Sequence, residues 1–228
     1  MTIPTIELDG PRFGPPPGRA TALVVLLHGL GADGNDLIAL APHFARAVPG
    51  AAFVAPHAPF PCDMAPFGRQ WFSLQVREPA AILGGVRMAA PHLDAFLDAE
   101  LARFALDDAH LALVGFSQGT MMALHVALRR RHPCAAVVGY SGMLVGPETL
   151  PAEIRSRPPV LLVHGEADEI VDVSALAAAE AALKASGVPV RAERRPGLGH
   201  GIDERGIELG MEMLARHLGP GAGPQTPA

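Results

Sequence analysis

Lysine is almost missing from this sequence. Lys184 is the only one, so 17 of the 18 basic residues are arginine. Like the richness in alanine and glycine, this reads as a bias of residue usage and not as function. A basic excess is missing too, because the formal net charge is −5. Nucleic-acid binders present a basic patch or stripe, so no nucleic-acid partner is expected. Cysteine is scarce. Cys62 and Cys134 stand 72 positions apart and match neither a C-x-x-C pair nor a zinc spacing. They read as two idle thiols. The opening stretch MTIPTIELDGPRFGPPPG lacks a basic start followed by an apolar segment, so no secretory signal is expected. No apolar run reaches the ~18–20 residues of a membrane helix. There is no HExxH and no clustered Cys/His spacing, so no metal is expected. These absences leave a cytoplasmic globular protein as the expectation.

What is present is ordinary for a packed chain: of 228 residues, 49% are apolar and 18% charged. A domain of that length buries roughly 70–75% of its unfolded surface and needs no staple. Short apolar runs alternate with helical patterns. Strands are expected at 22–27, 51–55, 110–115, 135–140, 159–164 and 190–194. Helices are expected at 36–48, 86–104, 118–131, 174–186 and 206–217. Pro91 lies inside the second helix and predicts a kink or a later start. Arg129, Arg130 and Arg131 close the third, where the helix dipole favours cations. A proline-rich loop covers 56–68, and 219–228 reads as a disordered tail. Alternating strands and helices predict one α/β domain over 1–218, a mostly parallel central sheet with helices on both faces. Sites in such sheets form at the C-terminal strand ends. The loops after Leu27, Val114, Val163 and Arg194 therefore matter most.

One of those loops carries Gly115-Phe116-Ser117-Gln118-Gly119, a G-x-S-x-G segment. With 25 glycines and 6 serines in 228 residues, chance supplies only ~0.07 such matches. The context is a strand before and a helix after, which is the setting of a nucleophile elbow. So tight a turn needs glycine on both sides. It lifts a hydroxyl clear of the sheet and sets it at a helix N-terminus, whose free N–H groups favour a developing oxyanion. A serine nucleophile needs a histidine base, itself oriented by a carboxylate, in the chain order Ser, Asp or Glu, His. His125 and His132 run away from the corner along the following helix, and His217 sits late in the last one. His200 lies in PGLGHGI, a glycine-rich loop after a strand, and is the expected base. For the acid, Glu166, Asp168, Glu169 and Asp172 compete in GEADEIVD. Spacing favours Asp168, with Glu166 the runner-up.

Gly29-Leu30-Gly31-Ala32-Asp33-Gly34 fits G-x-G-x-x-G after a strand, the pattern of a dinucleotide site. Such a site wants a carboxylate about 20 residues on, and AAFVAPHAP offers none at the strand end. The competing reading is an oxyanion loop. Acyl hydrolysis of this kind uses one N–H after the nucleophile and one from an early strand–helix loop. Gln118 would supply the first and Leu30 the second. Trp71, Phe72, Leu74, Met143 and Leu144 are candidates for an apolar substrate groove, with plain core packing as the alternative. Ser141, in GYSG, has no helix pattern after it and reads as a turn residue.

Together, LLHGLGADGNDL (26–37), QWFSL (70–74), GFSQG (115–119), HGEADEIV (164–171) and GLGHGI (197–202) resemble the phospholipase/carboxylesterase family of α/β-hydrolases. That family includes bacterial carboxylesterases and acyl-protein thioesterases. The resemblance spans most of the chain in the family's order. It implies the α/β-hydrolase fold, Asp168 as the acid, and Leu30 with Gln118 as the oxyanion hole. Thr120 and Asp172 depart from residues common in the family. Ser73 stands where eukaryotic thioesterase-like members often have aspartate, which favours the bacterial esterase branch. The expected activity is hydrolysis of small, fairly apolar esters without a cofactor. Alternatives are a long-chain thioesterase or lysophospholipase with the same triad, or a non-enzymatic binding member. A homodimer is left open.

Overall fold

The computed structural model describes residues 5–219. The tail assigned to disorder lies outside them, apart from Gly219. In chain order the elements are strands β1 (Arg12–Phe13) and β2 (Ala22–Leu27), helices α1 (Gly34–Leu37) and α2 (Ala41–Ala45), and strands β3 (Ala51–Val54), β4 (Phe60–Pro61) and β5 (Arg69–Gln70). Then come α3 (Pro79–Phe104), β6 (Leu111–Phe116), α4 (Gln118–Ala127), β7 (Ala136–Tyr140) and α5 (Leu150–Glu153). The chain continues through β8 (Val160–Gly165), α6 (Ser174–Ala185), β9 (Val190–Arg195) and α7 (Glu204–Leu218). Seven strands form one sheet in the order β1-β3-β2-β6-β7-β8-β9. Only β1 is antiparallel to its neighbour; the rest of the sheet is parallel.

The apolar runs explain this sheet. A strand covered on both faces must be apolar at every position, and all six residues of β2 are buried. Leu23, Val25 and Leu27 join Leu111, Leu113 and Val137 in a core that α3, α4 and α6 cover. Val24 and Leu26 point the other way, with Val114, Val138 and Val163, under α2 and α7. Each such Val or Leu contributes about 1.5–3 kcal/mol on burial. The order of the strands places the site. From β2 the chain steps to β3 on one side, then returns past β2 to β6 on the other. The crevice between the ends of β2 and β6 is therefore a topological switch point.

Several elements differ from expectation. The helix expected over 36–48 is broken into α1, a 3₁₀ turn (Ile38–Leu40) and α2, and Pro42 opens the last piece. Helix α3 starts seven residues earlier than predicted, because Pro79 occupies its first turn, where a missing N–H costs nothing. It also runs on past Pro91. That proline and Arg87, whose carbonyl it deprives of a donor, are both exposed, on a side of the helix that water can reach. Helix α4 stops at Ala127, short of the three arginines. Arg129 still donates to the His125 carbonyl in the last turn of α4 at 3.2 Å and also pairs with Glu153, while Arg130 pairs with Asp94, Asp98 and Asp108. The expected thiols are free, and burial pushes Cys134 up to about 12. Among the described residues, no helix is long and apolar enough to cross a membrane.

Candidate active site

Ser117 stands between β6 and α4 with φ 53° and ψ −116°. Non-glycine residues rarely hold a positive φ, and doing so costs about 1–3 kcal/mol. The neighbours show what enforces it. A Cβ on Gly119 would lie 1.8 Å from the Leu27 carbonyl oxygen. One on Gly115 would lie 2.5 Å from the backbone of Gly119 and Thr120. The helix is thus pressed directly onto two strands, and the only geometry left at the corner turns Ser117 outward. Thr120, the family departure, fills the space beside Gly139 and Gly142, its hydroxyl 2.8 Å from the Gly115 carbonyl and 2.9 Å from that of Tyr140.

The next two candidates arrive from the ends of β8 and β9. Asp168 Oδ2 accepts a 2.8 Å hydrogen bond from His200 Nδ1. Asp168 Oδ1 accepts from the N–H groups of Ile170 and Val171, each at 2.9 Å. Burial would raise this carboxyl; the bonds from His200, Val171 and Ile170 outweigh it and hold it below its ordinary value. Asp168 is therefore ionised at neutral pH. Of the four competing carboxylates it alone is buried; Glu166, Glu169 and Asp172 face solvent. The His200 ring lies against Phe116, the residue before Ser117, with centroids 5.0 Å apart. The His200 loop is tied down by Ser141, whose hydroxyl donates to the Gly201 carbonyl at 3.3 Å, and by the Arg195–Asp203 pair at 3.0 Å. Ser141 is thus buried and engaged, as a turn residue should be. No hydrogen bond joins the Ser117 hydroxyl to His200 in this geometry, and that link commonly tightens only with substrate in place.

The loop after β2 approaches the same corner. A Cβ on Gly29 would be 3.1 Å from the Phe116 ring and 3.4 Å from Ser117 Cβ. Among the described residues, neither the Leu30 N–H nor the Gln118 N–H donates to another backbone group. Gln118 opens α4, where an N–H has no helical partner. Two free donors therefore flank Ser117.

Sequence reasoning missed what holds this loop. His28 is fully buried. Its Nε2 accepts from the Ala58 N–H at 3.0 Å, which places the proton on Nδ1, 2.7 Å from the Gly29 carbonyl. Burial lowers its pKa and keeps it neutral. Arg69 accepts Gly31 N–H on its own carbonyl and donates its side chain to the Ala58 and Pro59 carbonyls. The Gln118 side chain is clamped by Trp71 N–H and the Phe72 carbonyl, both at 2.8 Å. The one available signal was a histidine followed by glycine at a strand end; it occurs at His28 and again at His164.

The groove candidates divide. Trp71 and Phe72 are wholly buried and line no open surface. Trp71 instead donates its indole N–H to the His28 carbonyl at 3.0 Å. For these two the alternative of core packing holds: the rings lie buried behind the loop that bears Leu30. Leu74 is only partly covered, packed against the core. Met143 and Leu144 do line a pocket, of about 170 Å³, with Pro147, Ala175, Ala178 and Ala179. Met143 follows Gly142 in the chain, and a Cβ there would be 2.9 Å from the Ser117 carbonyl. Among the described residues no group of His, Cys, Asp and Glu could hold a metal ion.

Known proteins resemble this chain along nearly its whole length. Esterase YpfH of Escherichia coli is 29% identical over 206 residues, 87% of this chain and 84% of its own. The crystal structure of esterase PE8 matches with a TM-score of 0.89 at 43% identity, covering 93% of this chain and all of that one. Acyl-protein thioesterase 2 of Zea mays matches with a TM-score of 0.70 at 26% identity, covering 92% of this chain and 100% of its own. The profile of the Phospholipase/Carboxylesterase family matches residues 10–218. The chain belongs to that family: it is a hydrolase enzyme with the α/β-hydrolase fold, in the company of esterases and carboxylesterases.

Proposed function

We propose that this protein is a serine carboxylesterase for small, fairly apolar esters, working through an acyl-enzyme intermediate. Ser117 is the nucleophile, His200 the base and Asp168 the residue that orients it. The observation that carries the reading is a conjunction. A serine forced to positive φ at a strand–helix corner shares its strand-end crevice with a histidine already bonded to a buried carboxylate. In the first half-reaction, His200 Nε2 takes the Ser117 proton as Oγ attacks the ester carbonyl. The oxygen that becomes negative is met by the Leu30 and Gln118 N–H groups. The tetrahedral species collapses, the C–O bond to the alcohol breaks, and His200 hands its proton to the leaving oxygen. Water then repeats the sequence on the acyl-enzyme and releases the acid. Asp168 keeps the proton on His200 Nδ1, so Nε2 is the free base.

Met143, Leu144, Pro147 and the alanines of α6 would receive the acyl chain. Their pocket of about 170 Å³ is small beside the roughly 300–1,000 Å³ of sites for drug-sized ligands. That supports short acyl chains. The thioesterases among the relatives keep a long-chain thioester reading in view, and the same assay decides it. Turnover of p-nitrophenyl esters from acetate to palmitate is measured with Ser117→Ala beside the wild type. The expected result is a maximum at short chains and near-background turnover in the variant. A maximum at long chains moves the assignment to a thioesterase or lysophospholipase. A variant retaining a tenth of wild-type kcat refutes the nucleophile.

A further inference from the structure

Asp168 has a second imidazole against it. His164, in β8, is fully buried, and its Nε2 lies 3.2 Å from Asp168 Oδ2, the oxygen that receives His200. The same Nε2 is 2.8 Å from the Val171 carbonyl. A carbonyl only accepts, so Nε2 carries the proton, directs it at Val171 and sets the positive edge of the ring 3.2 Å from Asp168 Oδ2. The Val171 peptide is thereby held at both ends: its N–H donates to Asp168 Oδ1 and its carbonyl accepts from His164. The turn that aims the carboxylate is locked from inside the sheet. Charged neighbours are few: Asp168 itself, His200 beyond it, exposed Asp172 close by, and exposed Arg194 across the strand pairing.

We infer that His164 is a positioning residue for the proposed triad, fixing Asp168 and offsetting part of its negative charge with the positive edge of its ring. A plain buried strand residue at this place would be apolar, since an imidazole in the core must satisfy its nitrogens at a cost an alkyl side chain avoids. Without the N–H, the turn slackens and the carboxylate presses its full charge on His200. Two consequences follow. The hydrogen bond to His200 loses its fixed direction, which lowers kcat more than it raises KM. The imidazolium form of His200 is stabilised, so the acid limb of the kcat/KM profile moves to higher pH.

The inference rests on Ser117, Asp168 and His200 acting as proposed, and the test separates the two. His164→Phe keeps a ring and removes the N–H; His164→Gln keeps a donor near the Nε2 position. Thermal unfolding identifies folded samples, and His164→Leu replaces the Phe variant if that one does not fold. Ester hydrolysis is measured from pH 5 to 9. The expected result is a kcat about 10- to 100-fold lower in the apolar variant, the size of effect an ångström of misplacement produces. Its acid limb should stand at higher pH, and both changes should be largely reversed in His164→Gln. An apolar variant with the wild-type limb, or one whose loss the Gln variant does not reverse, overturns the inference. If Ser117→Ala still hydrolyses the ester, the triad reading has failed instead.

Discussion

His125 gives the most quantitative check on the electrostatics of this fold. It lies in α4, eight residues past Ser117, and is 4% exposed. Its Nδ1 is buried and has no hydrogen-bond partner. Burial, with help from the positive charge of Arg129 and against the pull of Glu153, pushes it down to about 4 from the ordinary 6.5. The folded protein therefore resists a proton that the unfolded chain accepts. Above pH 7 the two states bind protons alike and His125 makes no difference. As pH falls from there toward 4, the unfolded state gains about 1.4 kcal/mol per pH unit. By pH 5 the accumulated loss of stability is about 2 kcal/mol. His125→Leu removes the titrating group and the orphaned nitrogen together. At pH 7.5 the variant should be more stable by about 1–3 kcal/mol, the usual penalty of a buried group without a partner. At pH 5 that advantage should widen by the further ~2 kcal/mol. Glu153, held down to about 2 chiefly by Arg129, loses its contribution only at lower pH and does not confuse the comparison. Urea unfolding at the two pH values, followed through Trp71, the one tryptophan and a buried one, measures the difference. An advantage that stays constant between pH 7.5 and 5 would refute the reasoning.

Two glycines should respond to alanine with opposite signs. Gly119→Ala drives a methyl group into the Leu27 carbonyl at 1.8 Å and should cost at least about 1–3 kcal/mol, the range for overpacking, together with most of the activity. Gly84 sits in α3 with nothing within 4 Å of its would-be Cβ, so Gly84→Ala should stabilise by about 0.5–1 kcal/mol. Thermal unfolding decides both, and a Gly119→Ala protein with wild-type Tm would disprove the close-contact argument for the corner. At the mouth of the acyl pocket, Ala178→Leu should cut kcat/KM for the longest accepted acyl chain about 10-fold or more while sparing acetate. An unchanged chain-length profile would remove the pocket from the reaction.

The candidate site was largely legible because its parts are local. A strand, a glycine, a serine, a glycine and a helix follow one another without a gap at 111–127, so the steric demand of Ser117 is written in neighbouring positions. Asp168 and His200 each follow a strand end, and strand ends gather at one edge of a parallel sheet. The structure adds the reason Asp168 stands apart from Glu166, Glu169 and Asp172: its carboxylate is buried, held by Ile170 and Val171 N–H and bonded to His200, whereas those three residues are exposed. Element boundaries were less legible. Carboxylates on α3, on α5 and just before β6 claim the guanidinium groups of Arg129 and Arg130 just past the end of α4, and no helical pattern announces distant partners. The rings of Trp71 and Phe72 looked like a groove because an apolar run after a loop reads the same whether it lines a cleft or backs one.

What the sequence hid is the support of the oxyanion loop, and Gln118 shows why. Its backbone N–H is fixed by local geometry, as the first residue of α4. Its side chain answers to a different part of the chain, spanning to Trp71 N–H and the Phe72 carbonyl, 47 and 46 positions away. Trp71 then holds the His28 carbonyl, and His28 holds Ala58 N–H. Arg69 closes the circuit on Gly31 and Ala58. The bonds of Gln118, Trp71 and His28 join buried polar groups that would each cost about 1–3 kcal/mol if left unpaired, and those of Arg69 are part-buried. The circuit therefore has strong reason to stay closed, and the loop bearing Leu30 is held rigidly beside the helix bearing Gln118. Donors that are already in place need no reorganisation when charge develops, which is the condition under which an oxyanion hole is most effective. The same buried amide that stabilises the fold thus sets the spacing on which the proposed chemistry depends.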